Sequence, residues 1–192
     1  FEMHNCLVGS EMCIRDRTME RTWTSTLGRV AFINCDPLYH DISSDWNILA
    51  APPSWLTGHV LRRDCILAPI PAADYAKHES DLVLLPDIGI GSQGEVGSVL
   101  LFGAVPIESM KTIALPSDSA TSVALLKHLL AKRGHDMNYV STGPDYDSMM
   151  AMADGALLIG DRALDAAREF PEMVQMDLGT AWMEEELSLI HI

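Results

Sequence analysis

Short apolar runs alternate with stretches of helical spacing along the chain, and this alternation narrows the fold more than any other feature. Residues 29–34 (RVAFIN), 46–51, 65–70, 82–85 and 98–102 read as strands. Short helices over 52–63 and 72–77 fall between them, the first opened by Pro52 and Pro53, since proline is tolerated in a first helical turn. A second set follows, with strands over 112–115, 138–141, 156–159 and 174–176. Helices over 119–133, 146–153 and 162–168 separate these strands, the first marked by Val123, Leu126, Leu129 and Leu130 at helical spacing. Strands alternating with helices of this length predict an α/β fold with a largely parallel sheet. The one weak boundary lies near 103–106, between the two sets.

Charge and cysteine usage remove several function classes. The 192 residues hold 13 basic and 27 acidic side chains, for a net charge of −14. Such a field repels a phosphate backbone, so no nucleic-acid partner is expected. The longest apolar stretch, 98–107, is broken by Gly103 and Pro106. A membrane-spanning helix needs about 20 apolar residues, so none is expected. No apolar signal segment precedes Arg29, which predicts a cytoplasmic protein with reduced Cys35 and Cys65. His40, His59, His78, His128 and His135 form no HExxH pair and the cysteines no CxxC, so no metal is expected. His40, close to Asn34, is the least remote acid/base candidate among them. A nucleophile elbow and a Walker loop are also lacking.

Both ends carry segments foreign to this pattern. Residues 6–17 read CLVGSEMCIRDR and residues 187–192 read LSLIHI. Both resemble in-frame translations of a transposase sequencing adapter. Residues 1–17 and 187–192 are therefore expected to lie outside the natural chain, with Met19 as its start and its C-terminus missing.

Four places could carry chemistry. Gly89-Ile90-Gly91-Ser92-Gln93-Gly94 matches GxGxxG, but it runs into strand-like residues where a dinucleotide site needs a helix. It reads as a flexible loop, or as one whose N–H groups and Ser92 and Ser98 hydroxyls face a ligand. Residues 116–122 (PSDSATS) precede the clearest helix and read either as its cap or as a carboxylate site at its N-terminus. Asp118 opposes an anion there unless its side chain points away. Asn34 ends the first strand, at the edge where open α/β sheets place ligands, though Asn before Asp-Pro is also plain turn chemistry. Asp161 after Ile159-Gly160 ends a strand in the same way and reads as a helix cap or a ligand contact.

Taken together, these segments resemble one family, the chorismate dehydratases of the futalosine route to menaquinone. The matching stretches are 29–37 (RVAFINCDP), Pro52-Pro53-Ser54, 67–75, 84–87 (LLPD), 94–102 (GEVGSVLLF), 117–130 (SDSATSVALLKHLL) and 156–161 (ALLIGD). Asp177-Leu178-Gly179 with Trp182 adds to them. The resemblance implies a two-lobed fold of the type II periplasmic-binding-protein kind. Lobe 1 would cover 18–103 and remain incomplete, lobe 2 would cover 104–180, and 181–186 would begin the return to lobe 1. It implies a carbon–oxygen lyase that removes water from chorismate to give 3-[(1-carboxyvinyl)oxy]benzoate, with no cofactor. Asn34 would be catalytic, orienting the substrate. Ser54, Ser92 and Ser98 would hold one side of it, the N–H groups of Ser119, Ala120 and Thr121 a carboxylate, and Asp161 the far wall. The matched motifs contain no evident general base, which leaves the substrate's own enolpyruvyl carboxylate as the candidate proton acceptor.

The resemblance has departures and rivals. Cys35, Asp36 and Glu95 stand where small, apolar or uncharged residues are expected. With lobe 1 incomplete, the chain is expected to be inactive and to expose apolar surface. Rival readings are a non-catalytic carboxylate-binding protein of the same fold, the related 1,4-dihydroxy-6-naphthoate synthase, and a regulatory ligand-sensing lobe. The synthase has a different strand-end motif and a loop histidine with no counterpart here. A regulatory lobe would follow a helix-turn-helix domain, and 19–27 holds none.

Overall fold

A computed structural model describes residues 22–190, with side chains described as far as 185. The adapter-like residues 1–17, Met19 and residues 191–192 lie outside the described residues. The rest forms a small sheet and a larger one.

The small sheet pairs β1 (Thr26–Val30) with β2 (Asn47–Ala51) in parallel, in a register that sets Gly28 opposite Leu49. The first strand thus begins and ends earlier than the apolar run 29–34 suggests. Residues Ile33–Tyr39 turn instead into a 3-10 helix that contains Pro37. The turn is folded back on β1 by an Arg29–Asp36 ion pair and by the Tyr39 hydroxyl, which donates to the Gly28 carbonyl. Cys35 is buried beneath it with Val30, Ala51 and Leu56. Helix α1 (Pro53–Leu61) follows β2, and α2 (Ala72–Lys77) lies beyond it. The expected strand 65–70 shrinks to a single bridge, Leu27 to Leu67, flanked by Gly28 N–H to Leu67 carbonyl at 2.7 Å. The expected strand 82–85 does not form: among the described residues no strand pairs with it, and Val83 is 96% exposed.

The larger sheet has five strands in the order β5-β4-β6-β3-β7. They are β3 (Val99–Gly103), β4 (Thr112–Pro116), β5 (Asn138–Thr142), β6 (Gly155–Ile159) and β7 (Val174–Asp177). β4 runs parallel to β5 and β6, whereas β3 is antiparallel to both β6 and β7. The sheet is therefore mixed, not largely parallel. Val99–Gly103, although it precedes the boundary at 103–106, hydrogen-bonds into this sheet.

Period-two alternation divides each central strand between two cores. Leu101, Ile113, Leu115 and Leu157 meet Leu126, Leu129 and Leu130 of α3 (Ala120–Lys132) and Leu178 of α6 (Leu178–Ile190). Leu100, Phe102, Ala114 and Leu158 face the other way. They meet Met149 of α4 (Tyr146–Met152) and Ala163 and Ala166 of α5 (Asp161–Glu169). Each fully buried Leu or Phe in these layers contributes on the order of 2 kcal/mol. Among the described residues no helix is long and apolar enough to cross a membrane.

Candidate functional site

Several of the candidate residues, Ser54, Ser98, Ser119 and Thr121 among them, lie where the small sheet meets the larger one. The Ser54 hydroxyl, in the first turn of α1, donates to the Ser117 carbonyl at 3.2 Å, and Ser54 N–H reaches the Asp118 carbonyl at 3.4 Å. Ala73 N–H, in the first turn of α2, donates to the Thr121 hydroxyl at 3.1 Å. The starts of α1, α2 and α3 are thus tied together.

A second seam lies beside the first. Gly160 N–H donates to the Ser98 carbonyl at 2.8 Å, which sets Ser98 against the turn after β6. Gly160 has φ +63°, and a Cβ there would sit 3.0 Å from the Phe32 ring. The Phe32 ring also lies 5.8 Å from the Arg162 guanidinium. Asn34 stands exposed in the 3-10 helix two residues further on. Its amide makes no hydrogen bond with the other candidates, so its approach to them is set by the backbone alone.

Several assignments change at this level. Ser119 occupies the cap position of α3 but makes no side-chain capping bond, although it is only 7% exposed. The N-terminal N–H groups of α3 are therefore left without a side-chain partner, at the positive end of the helix dipole. Asp118 does not oppose them: its carboxylate is buried and taken by Arg162. Asp161 is not a cap; Gly160 holds that position and Asp161 begins α5, half-buried. Ser92 is exposed in the glycine-rich loop, and no contact brings it to the junction.

That loop has its own organiser, which the sequence reading missed. The Asp177 carboxylate accepts Gly97 N–H at 2.7 Å, Val96 N–H at 3.2 Å and Thr180 N–H at 2.9 Å. Asp just before a helix is a capping signal, and here one carboxylate caps α6 and pins the loop. Gly94 and Gly97 take φ +88° and +69°, as their turns require. No helix follows the loop, in keeping with its reading as something other than a dinucleotide site.

Titratable groups near Asn34 serve the scaffold. Burial pushes the Cys35 thiol up, and it pushes the Tyr39 hydroxyl up to about 12. Both therefore stay neutral near pH 7. The His40 side chain is 85% exposed, with Asp41 at 4.0 Å. His59 instead shares with Ser54, Trp55, Gly58 and Arg62 the lining of a groove of about 530 Å³ along α1. Its Nδ1 lies 2.8 Å from Asp64, and that hydrogen bond holds the Asp64 carboxyl below its usual range. Among the described residues no three His, Cys, Asp or Glu side chains group as metal ligands would.

Comparisons with known proteins bear on the family and the fold. The chorismate dehydratase of Thermus thermophilus is 33% identical over 180 residues, an alignment covering 82% of this chain and 64% of that one. The chain thus spans a little under two thirds of that relative. A crystal structure of an Archaeoglobus fulgidus protein superposes with a TM-score of 0.60 at 18% identity, over 83% of this chain and 62% of that one. An ABC transporter structure from Parabacteroides distasonis gives a TM-score of 0.51 at 12% identity, over 81% of this chain and 59% of that one. These two likenesses concern the fold alone, and both are compatible with a binding-protein-like architecture. Residues 25–188 match the menaquinone biosynthesis family, so the chain belongs to that family.

Proposed function

We propose that this chain holds most of a chorismate dehydratase, a carbon–oxygen lyase that eliminates water from chorismate to give 3-[(1-carboxyvinyl)oxy]benzoate. The observation that carries the reading is the junction of the two sheets. There Ser54 is tied to the uncapped start of α3, Ser98 is tied to Gly160 in the turn after β6, and Arg162 joins Asp118 to the Phe32 ring. Chorismate carries two carboxylates on a compact ring, and a helix N-terminus favours one of them by up to about 2 kcal/mol. The two sheets would belong to two lobes, with the substrate between them.

Placement supports the following roles. Ser119, Ala120 and Thr121 N–H groups receive one carboxylate, while the Thr121 hydroxyl fixes the start of α3 against α2. Ser98 and Ser54 would hold the other side of the substrate, and Ser92 would join only if its loop moved inward. Asn34 orients the ring, its amide supplying both donors and an acceptor. Asp161, in the first turn of α5, forms part of the far wall. In the elimination a ring proton is taken without its electron pair, that pair stays in the ring as a new π bond, and the neighbouring C–O bond breaks with its pair leaving as hydroxide. The ring becomes aromatic, and the two fragments combine as water. The substrate's enolpyruvyl carboxylate takes the proton and hands it to the departing hydroxide. A cytoplasmic setting goes with a water-soluble dianionic substrate.

The test incubates chorismate with the 192-residue chain and with a version continued to the length of its Thermus relative. Mass spectrometry follows a product lighter by one water. The long form should release it, and Asn34→Ala should abolish release while the circular dichroism spectrum is kept. The 192-residue chain should bind without turnover. Chorismate bound but left intact by the long form would replace the lyase reading with that of a carboxylate-binding protein.

A further inference from the structure

Helix α3 has two candidate capping residues in succession, Asp118 and Ser119. Both types are preferred N-caps, and only Asp brings a charge. Neither side chain is used. Ser119 sits at the cap with φ −133° and makes no capping bond. Asp118, only 4% exposed, gives its Oδ2 to Arg162, whose Nη2 donates to it, while Oδ1 accepts no hydrogen bond. Arg162 is held in turn by the Phe32 ring and by its place in the first turn of α5, directly after Gly160-Asp161.

Released from Arg162, Asp118 would be one residue from an ordinary cap. The helix would begin at Ser119, and the carboxylate would accept Ala120 and Thr121 N–H, the second and third positions after an Asp cap. The chain's own anion would then occupy the N–H groups that a ligand carboxylate needs. We propose that Arg162 is a positioning residue that holds Asp118 off the N-terminus of α3 and so keeps that helix end open to a carboxylate ligand. This rests on the reading of the helix end as a carboxylate site, and it makes Arg162 a determinant of affinity without direct contact to the ligand.

Four variants test it in the 192-residue chain: Arg162→Ala, Arg162→Gln, Asp118→Ser, and Arg162→Ala combined with Asp118→Ser. The first measurement is amide hydrogen exchange at 120 and 121 without ligand. Exchange should slow about fivefold in Arg162→Ala and return to the parent rate in the double variant. The second is calorimetric titration with chorismate. Affinity should fall about tenfold in Arg162→Ala and recover in the double variant, with Asp118→Ser at parent affinity or tighter. A merely structural arginine would give no such rescue. Parent exchange rates in Arg162→Ala, or a double variant as weak as the single one, would overturn the proposal. A parent chain that does not bind chorismate would sink the carboxylate reading alone, because the exchange measurement still decides whether Arg162 restrains Asp118. If Arg162→Ala fails to fold, Arg162→Gln keeps most of the packing volume and carries both comparisons.

Discussion

At the residue scale, Gly160 is the tightest constraint in the junction. Its φ of +63° and ψ of −146° lie in a region that only glycine enters at low cost. A side chain there would also press on Phe32, whose ring lies 3.0 Å from the position of the added Cβ. Gly160→Ala should therefore lower stability by about 1–3 kcal/mol, read as the shift of a urea midpoint. It should also displace Phe32, and with it the turn that carries Asn34. A variant within about 0.5 kcal/mol of the parent would show that the turn relaxes freely and that Phe32 is not held by it. The same neighbourhood explains two apparent departures from the family pattern. Cys35 fills the space under the 3-10 helix, and Asp36 pairs with Arg29, so both help to hold the turn in place.

At the element scale, Asp154 joins the strands of the larger sheet where they begin and end. Its carboxylate accepts Lys111 N–H at 2.8 Å and Thr112 N–H at 3.0 Å, at the start of β4. Its backbone N–H donates to the Thr112 carbonyl at 3.0 Å, and its carbonyl accepts Ala104 N–H at 3.1 Å just past β3. The two backbone donors to the carboxylate hold its pKa below the ordinary 3.8. A depressed carboxylate stabilises the folded state above its unfolded pKa, and the contribution is lost as pH falls through the folded value. Acidification below about pH 4 should therefore loosen this corner. Asp154→Asn should be less stable than the parent near neutrality and flatter in its acid-unfolding profile, followed by circular dichroism. Parallel profiles for the two proteins would assign the acid sensitivity elsewhere. Helices were legible in the sequence because a 3.6-residue period is local: Ala120–Lys132 and Ala72–Lys77 fall where the spacing puts them. Strand direction was not legible, because a period of two is the same read either way, and so β3 was not seen as antiparallel. The run at 82–85 has strand composition but lacks a partner, and partnership is a tertiary property.

At the scale of the whole molecule, the two sheets are unequally completed. The larger one is covered by helices on both faces, whereas the smaller has two strands and a single bridge beyond them. The candidate site lies between them, and that explains how much of it could be read in advance. The serine-rich and glycine-rich segments announce themselves by composition. The Asp118–Arg162 pair spans 44 residues, and the hold of Asp177 on the glycine-rich loop spans 80, so no local pattern reveals either. The unequal sheets also have a physical consequence. Ile48, Leu67, Val83, Leu84, Leu85 and Ile88 are all exposed along the smaller sheet and the segment after it. Exposed apolar side chains in this number favour association, and a dye such as anilinonaphthalene sulfonate reports them directly. The native chain should raise the dye's fluorescence in the absence of denaturant. Val83→Asp combined with Leu84→Lys should lower that signal while leaving the far-ultraviolet spectrum unchanged, because neither side chain belongs to a packed core. The net charge of −14 opposes binding of this anionic dye, so a positive signal would be due to apolar area and not to ion pairing. A native chain that leaves the dye dark would mean that these residues fold against one another in solution, and 82–85 would then have found the partner it lacks here.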